Sequence, residues 1–242
     1  MPLPTTYLFE TDEHAALRTQ IRKFAERAIA PHVAEWDEAN EFPRRLHEEA
    51  AAAGLVGISY PEAYGGAGGD LTHGIVSAES LVLYGRSVGT ASGLGSHAIA
   101  LPLILKLGTE EQKQRFVPKV LRGEHIAALA ITEPGAGSDV AGITTRAVRD
   151  GDHYVLNGSK MFITSGCRAD IVVAAVRTDA NAAQRHLGLS LIVIERGTPG
   201  FSAGRKLRKT GWWASDTAEL AFEDCRVPVQ NRLGEEGSGF FA

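Results

Sequence analysis

Cysteine is nearly absent: the 242 residues include two, Cys167 and Cys225. Two thiols are too few for a disulfide scaffold and fit a reducing compartment, so a cytoplasmic protein is expected. Positive charge is not in excess. Lys and Arg total 25 against 29 Asp and Glu, a formal net charge of −4, which argues against nucleic acid as the main partner. No run reads as the roughly 18 apolar residues of a membrane span. Met1 to Glu13 lacks a basic n-region, an apolar core and arginine-rich character, so no signal or transit peptide is expected there. Internal repeats, low-complexity tracts and flexible linkers are missing. Among the eight histidines no pair has metal-ligand spacing, and the two cysteines lie far apart in sequence, so no metal site is expected. What remains is an ordinary globular composition, 44% hydrophobic and 22% charged, with enough chain for one or two domains.

The chain has two textures. In Thr11 to Ala34, the apolar residues Ala15, Leu17, Ile21, Phe24, Ala25 and Ile29 fall on one face of a 3.6-period helix. Pro43 to Leu55, Asp70 to Tyr84 and Ser92 to Leu107 are further helices. Thr109-Glu110-Glu111-Gln112 is a capping box opening a helix that stops at Gly123. From Glu124 on, apolar residues come in short runs or alternate with polar ones. His125 to Thr132, Thr144 to Arg149, His153 to Leu156, Ile171 to Arg177, Leu189 to Glu195 and Thr217 to Glu223 are predicted strands. Asp150-Gly151 and Asn157-Gly158 are type I′ hairpin dipeptides, and Thr198-Pro199-Gly200 is a further turn. The fold class expected is α+β: an all-helical domain over 1–123, then an antiparallel barrel- or sandwich-like β domain over 124–230. Residues 231–242 read as the start of a further helical domain.

One segment stands out chemically. The apolar strand Leu129-Ala130-Ile131 runs into Thr132-Glu133-Pro134-Gly135-Ala136-Gly137-Ser138-Asp139. Gly135 and Gly137 let backbone approach a ligand closely, and Thr132 and Ser138 add hydroxyls, which suits a phosphate or pyrophosphate. A plain surface turn would also use these residues. The dinucleotide fingerprint fails, because Val140 stands where it needs glycine and no helix is predicted to follow. Gly93-Leu94-Gly95 with Ala98 fits it loosely, without a preceding strand. No P-loop lysine and no Gly-x-Ser-x-Gly elbow is present. In Asn157-Gly158-Ser159-Lys160-Met161-Phe162-Ile163-Thr164-Ser165, an aromatic residue lies beside hydroxyls. Such a set can cover one side of a planar group and bond its edge.

Together these segments resemble the acyl-CoA dehydrogenase family of flavoproteins. The resemblance also rests on Tyr64-Gly65-Gly66, Leu107-Gly108-Thr109-Glu110-Glu111-Gln112-Lys113 and Phe222-Glu223-Asp224-Cys225-Arg226-Val227-Pro228. The stretch from Gly204-Arg205-Lys206-Leu207 through Asp216-Thr217-Ala218-Glu219-Leu220 to Gly234-Glu235-Glu236-Gly237 looks most like the long-chain type. The resemblance implies FAD as cofactor. Thr132 would bond the pyrimidine side of the flavin, with Leu129 and Ile131 supplying backbone and packing. Gly137 and Ser138 would meet the pyrophosphate, and Ser138 also the acyl-CoA. Phe162 would cover a ring face, where many members have tryptophan, and Ile163 and Thr164 would lie near the N5 edge.

The implied reaction is α,β-dehydrogenation of an acyl-CoA, as in fatty-acid β-oxidation, with electrons passed to an electron-transfer flavoprotein. The base is a glutamate expected beyond Ala242, in a third helical domain that this chain lacks. The full-length protein would be a homotetramer. Glu133 belongs to the loop and is expected to bond backbone locally. A chain ending at Ala242 should have half a flavin site and exposed apolar surface. Two alternatives remain: a non-catalytic or partner-dependent acyl-CoA- or flavin-binding subunit, and an acyl-CoA oxidase.

Overall fold

A computed structural model describes residue 7 and residues 9–242. Among these, seven α-helices come first: α1 (Asp12–Ala28), α2 (Val33–Ala39), α3 (Arg45–Ala52), α4 (Leu71–Gly85), α5 (Val88–Leu94), α6 (His97–Leu107) and α7 (Glu110–Leu121). The expected helix from Thr11 to Ala34 is split. Pro31 has no N–H to continue the ladder, and the chain passes through a 3-10 turn, Ala30–His32, into α2. The expected helix from Ser92 to Leu107 is also two. Ser87 caps α5 through the Thr90 N–H, and the break falls at Gly95-Ser96 before α6. The stretch Val88–Leu107 is long and apolar enough by composition to cross a membrane, contrary to the expectation that no such run exists. Here it folds as these two helices, which contribute Leu94, Ala100, Leu101 and Ile104 to the core.

The capping box at α7 is formed. Thr109 Oγ1 accepts the Gln112 N–H, and Gln112 Oε1 accepts the Thr109 N–H at 2.8 Å. Gln112 Nε2 also donates to the carbonyls of Gln230 (2.7 Å) and Arg232 (2.9 Å). One side chain therefore ends a helix and ties it to the sheet.

Eight strands follow: β1 (Ala127–Ala130), β2 (Arg146–Asp150), β3 (His153–Thr164), β4 (Ile171–Arg177), β5 (Leu189–Glu195), β6 (Phe201–Lys206), β7 (Thr217–Pro228) and β8 (Arg232–Leu233). Their order is β6-β7-β3-β2-β4-β5-β8, with β1 beside β4. The sheet is not wholly antiparallel as expected: β1 runs parallel to β4, and so does the single β2–β4 pair Arg146–Arg177. The long β1–β4 connection, which contains the β2–β3 hairpin, is what permits parallel pairing. Asn157-Gly158 is not a turn. β3 runs straight through it, and Gly158 pairs with Phe222. A Cβ at Gly158 would sit 2.6 Å from Thr145 Oγ1, so the glycine serves close approach instead. At the β2–β3 turn Gly151 takes φ +62 while Asp152 keeps negative φ, the II′ rather than the I′ requirement. Arg232–Leu233, expected to open a helical domain, is an edge strand on β5.

β4 and β5 read as apolar runs without alternation, interrupted only by the buried Ser190 before their charged last residues, because both their faces are buried. Val173 and Ala175 join Leu191 and Val193 against the helices, in one core with Phe24, Leu46, Ile104 and Phe116. Val172, Ala174 and Val176 join Ile192 and Ile194 in a second core with Leu156, Leu220 and Phe222 of β3 and β7. β1 alternates between the two: Ala127 and Leu129 face the helical core, Ala128 and Ala130 the sheet core.

Thr109→Ala should lower stability by about 1 kcal/mol, the usual worth of a cap. Gln112→Leu should cost at least as much again, because it also leaves the Gln230 and Arg232 carbonyls without their donor. Urea unfolding of the two variants checks the order.

Candidate functional site

The glycine-rich loop leaves β1 at Ala130 and is held at four points. The Thr132 carbonyl accepts the Met161 N–H at 2.8 Å, and the Ile131 carbonyl accepts from Lys160 Nζ at 2.9 Å. Glu133 and Ala136 exchange backbone hydrogen bonds across Pro134-Gly135 (2.9 and 3.2 Å). The Glu133 carboxylate is saturated: it accepts from Thr144 N (2.7 Å), Thr144 Oγ1 (2.8 Å), Thr145 N (3.0 Å) and Lys160 Nζ (2.8 Å). The Lys160 and Glu133 side chains are 0% and 3% exposed.

Burial raises the Glu133 carboxyl, but the donors from Lys160, Thr145 and Thr144 outweigh it and hold the group at about 2. Burial draws the Lys160 ammonium down to about 8, against the pull of Glu133. A carboxylate so occupied does not take a proton from a substrate. Glu133 bonds backbone as expected, but not locally: its carboxylate reaches Thr144 and Thr145 and pairs with Lys160 on β3. The sequence assigns Lys160 no role: Asn157-Gly158-Ser159 precedes it and only Met161-Phe162-Ile163 after it is apolar, so nothing local marks it as buried.

This ion pair shapes β3. Lys160 pairs with Leu220 and Ile163 with Ala218, so β3 uses one residue more than β7 between these pairs. Both Lys160 and Ile163 point inward although three positions separate them. The extra residue is absorbed at Phe162, which takes φ +62 and stands 62% exposed. An aromatic residue in the left-handed region is a strained outlier. Thr164 follows, half-buried. The Met161 N–H to Thr132 carbonyl bond thus brings Thr132 beside the bulge that carries Phe162, with Thr164 two residues farther along β3. The Ile163 side chain lies in the sheet core, so only its backbone is available outside. Leu129 and Ile131 pack their half-buried side chains against the helical core and support the loop from behind.

Gly137 and Ser138 lie exposed farther along the loop. The hydroxyls of Thr132, Ser138 and Thr164 make no hydrogen bond within the described residues, whereas the neighbouring Thr144 and Thr145 hydroxyls are both engaged. A Cβ added at Gly135 or Gly137 would meet nothing within 4 Å, and neither has positive φ. Nothing inside the protein therefore demands glycine at these two positions, while a ligand approaching the backbone would. Free hydroxyls, an open backbone and an outward ring fit a planar group carrying phosphates.

A cleft of about 930 Å³ opens in the helical part. α4 presents Gly74, Ser77 and Ala78, and α5–α6 present Ala91, Ser92 and Gly95. Small side chains on both walls leave the space, and most of the lining is apolar. Apolar side chains are also exposed outside it, among them Ile75, Ile99, Trp212 and Phe241.

His14, Asp70 and His73 offer ligand atoms within 4.8 Å of one another, a cluster hidden from sequence spacing because His14 is far from the other two. Its contacts are those of helix caps. Asp70 Oδ1 accepts from Thr72 N at 2.9 Å and bonds His73 Nδ1, while His14 Nε2 bonds Thr72 Oγ1. The two rings stack at 4.3 Å, so their in-plane lone pairs do not converge on one point. The cluster fastens α1 to α4.

Lys160→Met leaves a buried carboxylate without its cation and should cost about 3–5 kcal/mol in urea unfolding. The contribution of Glu133 also sets a pH dependence. Its folded-state pKa lies below the ordinary 4.5, so its stabilisation is complete above that pH and is lost as pH falls toward 2. Unfolding midpoints measured down this range should show the loss.

Two family models match the chain: "Acyl-CoA dehydrogenase, N-terminal domain" over residues 11–124 and "Acyl-CoA dehydrogenase, middle domain" over residues 128–225. The mitochondrial long-chain specific acyl-CoA dehydrogenase of Sus scrofa is 44% identical over 231 residues, covering 96% of this chain and 53% of that protein. The crystal structure of a probable acyl-CoA dehydrogenase from Mycobacterium abscessus superposes with a TM-score of 0.92 at 49% identity, over 96% of this chain and 61% of that one. A glutaryl-CoA dehydrogenase from Mycobacterium smegmatis, in complex with FADH2, superposes with a TM-score of 0.86 at 30% identity, over 94% and 57%. The chain spans about half the length of the curated relatives it matches. It belongs to the acyl-CoA dehydrogenase family, of which it carries the N-terminal helical and middle β domains.

Proposed function

We propose that this chain holds FAD on the Thr132–Ser138 loop and the outer side of β3, and seats the acyl group of an acyl-CoA in the cleft between α4 and α5–α6, for α,β-dehydrogenation. The observation that carries this is that the hydroxyls of Thr132, Ser138 and Thr164 are unengaged, and that the loop and the strand bearing them, with the outward Phe162, are pinned together by a buried ion pair and the Met161–Thr132 bond. The relative that holds FADH2 supports the cofactor.

Each residue then has a task. Thr132 bonds the pyrimidine side of the ring, with Leu129 and Ile131 behind it. Gly137 and Ser138 offer N–H and hydroxyl donors to the pyrophosphate, and Ser138 also to the thioester ligand. Phe162 shields a ring face. Thr164 and the backbone of Ile163 border the N5 edge. Bound FAD supplies the two-electron acceptor for the β-hydrogen, and the protein's part is placement and electrostatics. The α C–H is a weak acid, so the thioester oxygen needs hydrogen-bond donors as charge develops on it. The base that removes the α-proton is not Glu133, whose oxygens are all occupied. Electrons pass on to an electron-transfer flavoprotein.

The cleft favours a long acyl chain. Its volume and small-residue walls leave room for an extended apolar tail, and burying each methylene contributes about 0.8 kcal/mol.

Anaerobic titration of the full-length gene product with saturated acyl-CoAs of graded length should bleach the flavin, most tightly with long chains. A folded protein that stays colourless with added FAD, or a flavin that no chain length reduces, would falsify the proposal. Peroxide release during turnover would instead assign an oxidase. Gly137→Ala should leave unfolding within about 0.5 kcal/mol of the parent, as nothing touches the new methyl, yet weaken FAD binding. Thr164→Val should perturb the flavin absorption bands; an unchanged spectrum and reduction rate would remove Thr164 from the N5 edge.

A further inference from the structure

The turn that follows Thr164 is fastened to the helical part by two arginines: Arg44 NH1 donates to the Arg168 carbonyl at 3.2 Å, and Arg168 reaches back from the turn itself. Arg168 Nε donates to Asp216 Oδ1 at 2.7 Å, and its NH1 donates to the Phe42 carbonyl at 2.8 Å. The guanidinium lies 4.0 Å over the Phe42 ring, within cation–π range. Asp216 is 2% exposed. Its other oxygen accepts the Cys167 N–H at 2.8 Å, and its carbonyl accepts the Ser165 N–H at 3.0 Å. The Arg168 N–H in turn bonds the Ser165 carbonyl at 3.1 Å, and Ser165 is held at φ +59. Arg168 and Asp216 thus clamp residues 165–168 at the end of β3.

The same side chain reaches α5. A Cβ at Gly93 would lie 2.5 Å from the Phe42 ring and 3.6 Å from Arg168 NH2, so the helix rests directly on the Phe42–Arg168 stack. On its other side α5 carries Ala91 and Ser92, which line the cleft. Arg168 NH2 is buried without a hydrogen-bond partner. That cost is borne at a contact between the two parts of the protein.

We propose that Arg168 is a positioning residue that sets the spacing between the acyl wall, α5, and the flavin wall, the end of β3 at Thr164. This rests on the functional reading of the cleft and of β3 given above. A group that fixes the distance between two reactants acts on the rate once both are bound and little on either affinity.

The test uses the full-length FAD-loaded protein with R168Q, R168K and R168A. R168Q should keep FAD and bind acyl-CoA within about 3-fold of the parent, while the rate of flavin reduction at saturation falls by about 10-fold or more. R168A should regain part of that rate when guanidinium ion is added, which a general loss of folding would not allow. On the FAD-free protein, hydrogen exchange in R168Q should quicken at residues 88–94 and 165–169 together, with β5 unchanged. Equal reduction rates in parent and R168Q would overturn the proposal and leave the functional reading standing. Loss of FAD or of folding in both R168Q and R168K would also overturn it, since Arg168 would then serve stability alone. A parent that binds no FAD overturns the functional reading and this proposal with it.

Discussion

A charge buried without a counter-charge is too costly for a protein core to hold, and the Lys160–Glu133 pair uses that constraint to bring two distant segments together. Lys160 must enter the core to meet Glu133, and Ile163 must enter it to fill the space between the sheet layers. A regular strand cannot send both inward, because its side chains alternate with period two. The bulge at Met161-Phe162 resolves the conflict, and its by-product is an aromatic ring in the left-handed region aimed outward. Strain of this kind costs about 1–3 kcal/mol and persists only where the surroundings over-determine it. Here they do: Met161 is tied to Thr132, and the residues on either side of the bulge are locked in the core.

The sheet delivers these parts to the helices through β1 and β4. Because both strands are buried on two faces, any shift of the helical core is felt in the sheet core across one strand. The loop that begins after Ala130 inherits this rigidity, which explains how exposed glycines at 135 and 137 stay part of a defined site. The cleft is the complementary case. Small residues on α4 and α5 leave volume where larger ones would have closed the core. Gly93 lets the opposite side of α5 press onto Phe42 and Arg168.

Much of the fold was legible. Helix periodicity and the Thr109 capping box marked α1, α4 and α7, and the apolar runs at Ile171–Arg177 and Leu189–Glu195 coincide with β4 and β5 residue for residue. β6 was missed because its residues are mostly exposed and show no alternation, as befits an edge strand. Asn157-Gly158 reads as a turn because local chemistry cannot distinguish a hairpin from a glycine that admits a neighbouring threonine. The break at Gly95-Ser96 was hidden in a stretch with no proline at the junction. The Thr132–Ser138 loop was legible as a segment, but its anchoring was not, since Lys160 lies 27 residues from its carboxylate partner.

The sequence by itself determined the order of helices and strands, the caps, the two-sided burial of β4 and β5, and the family, since each is written in neighbouring residues or in short motifs at fixed spacing. Tertiary structure alone decided which way residues 160 to 164 face, where the apolar cleft opens, and how Arg168 joins the two parts. The physical reason is that these outcomes depend on pairings between residues tens of positions apart. Their energies arise only when burial removes water from both partners at once.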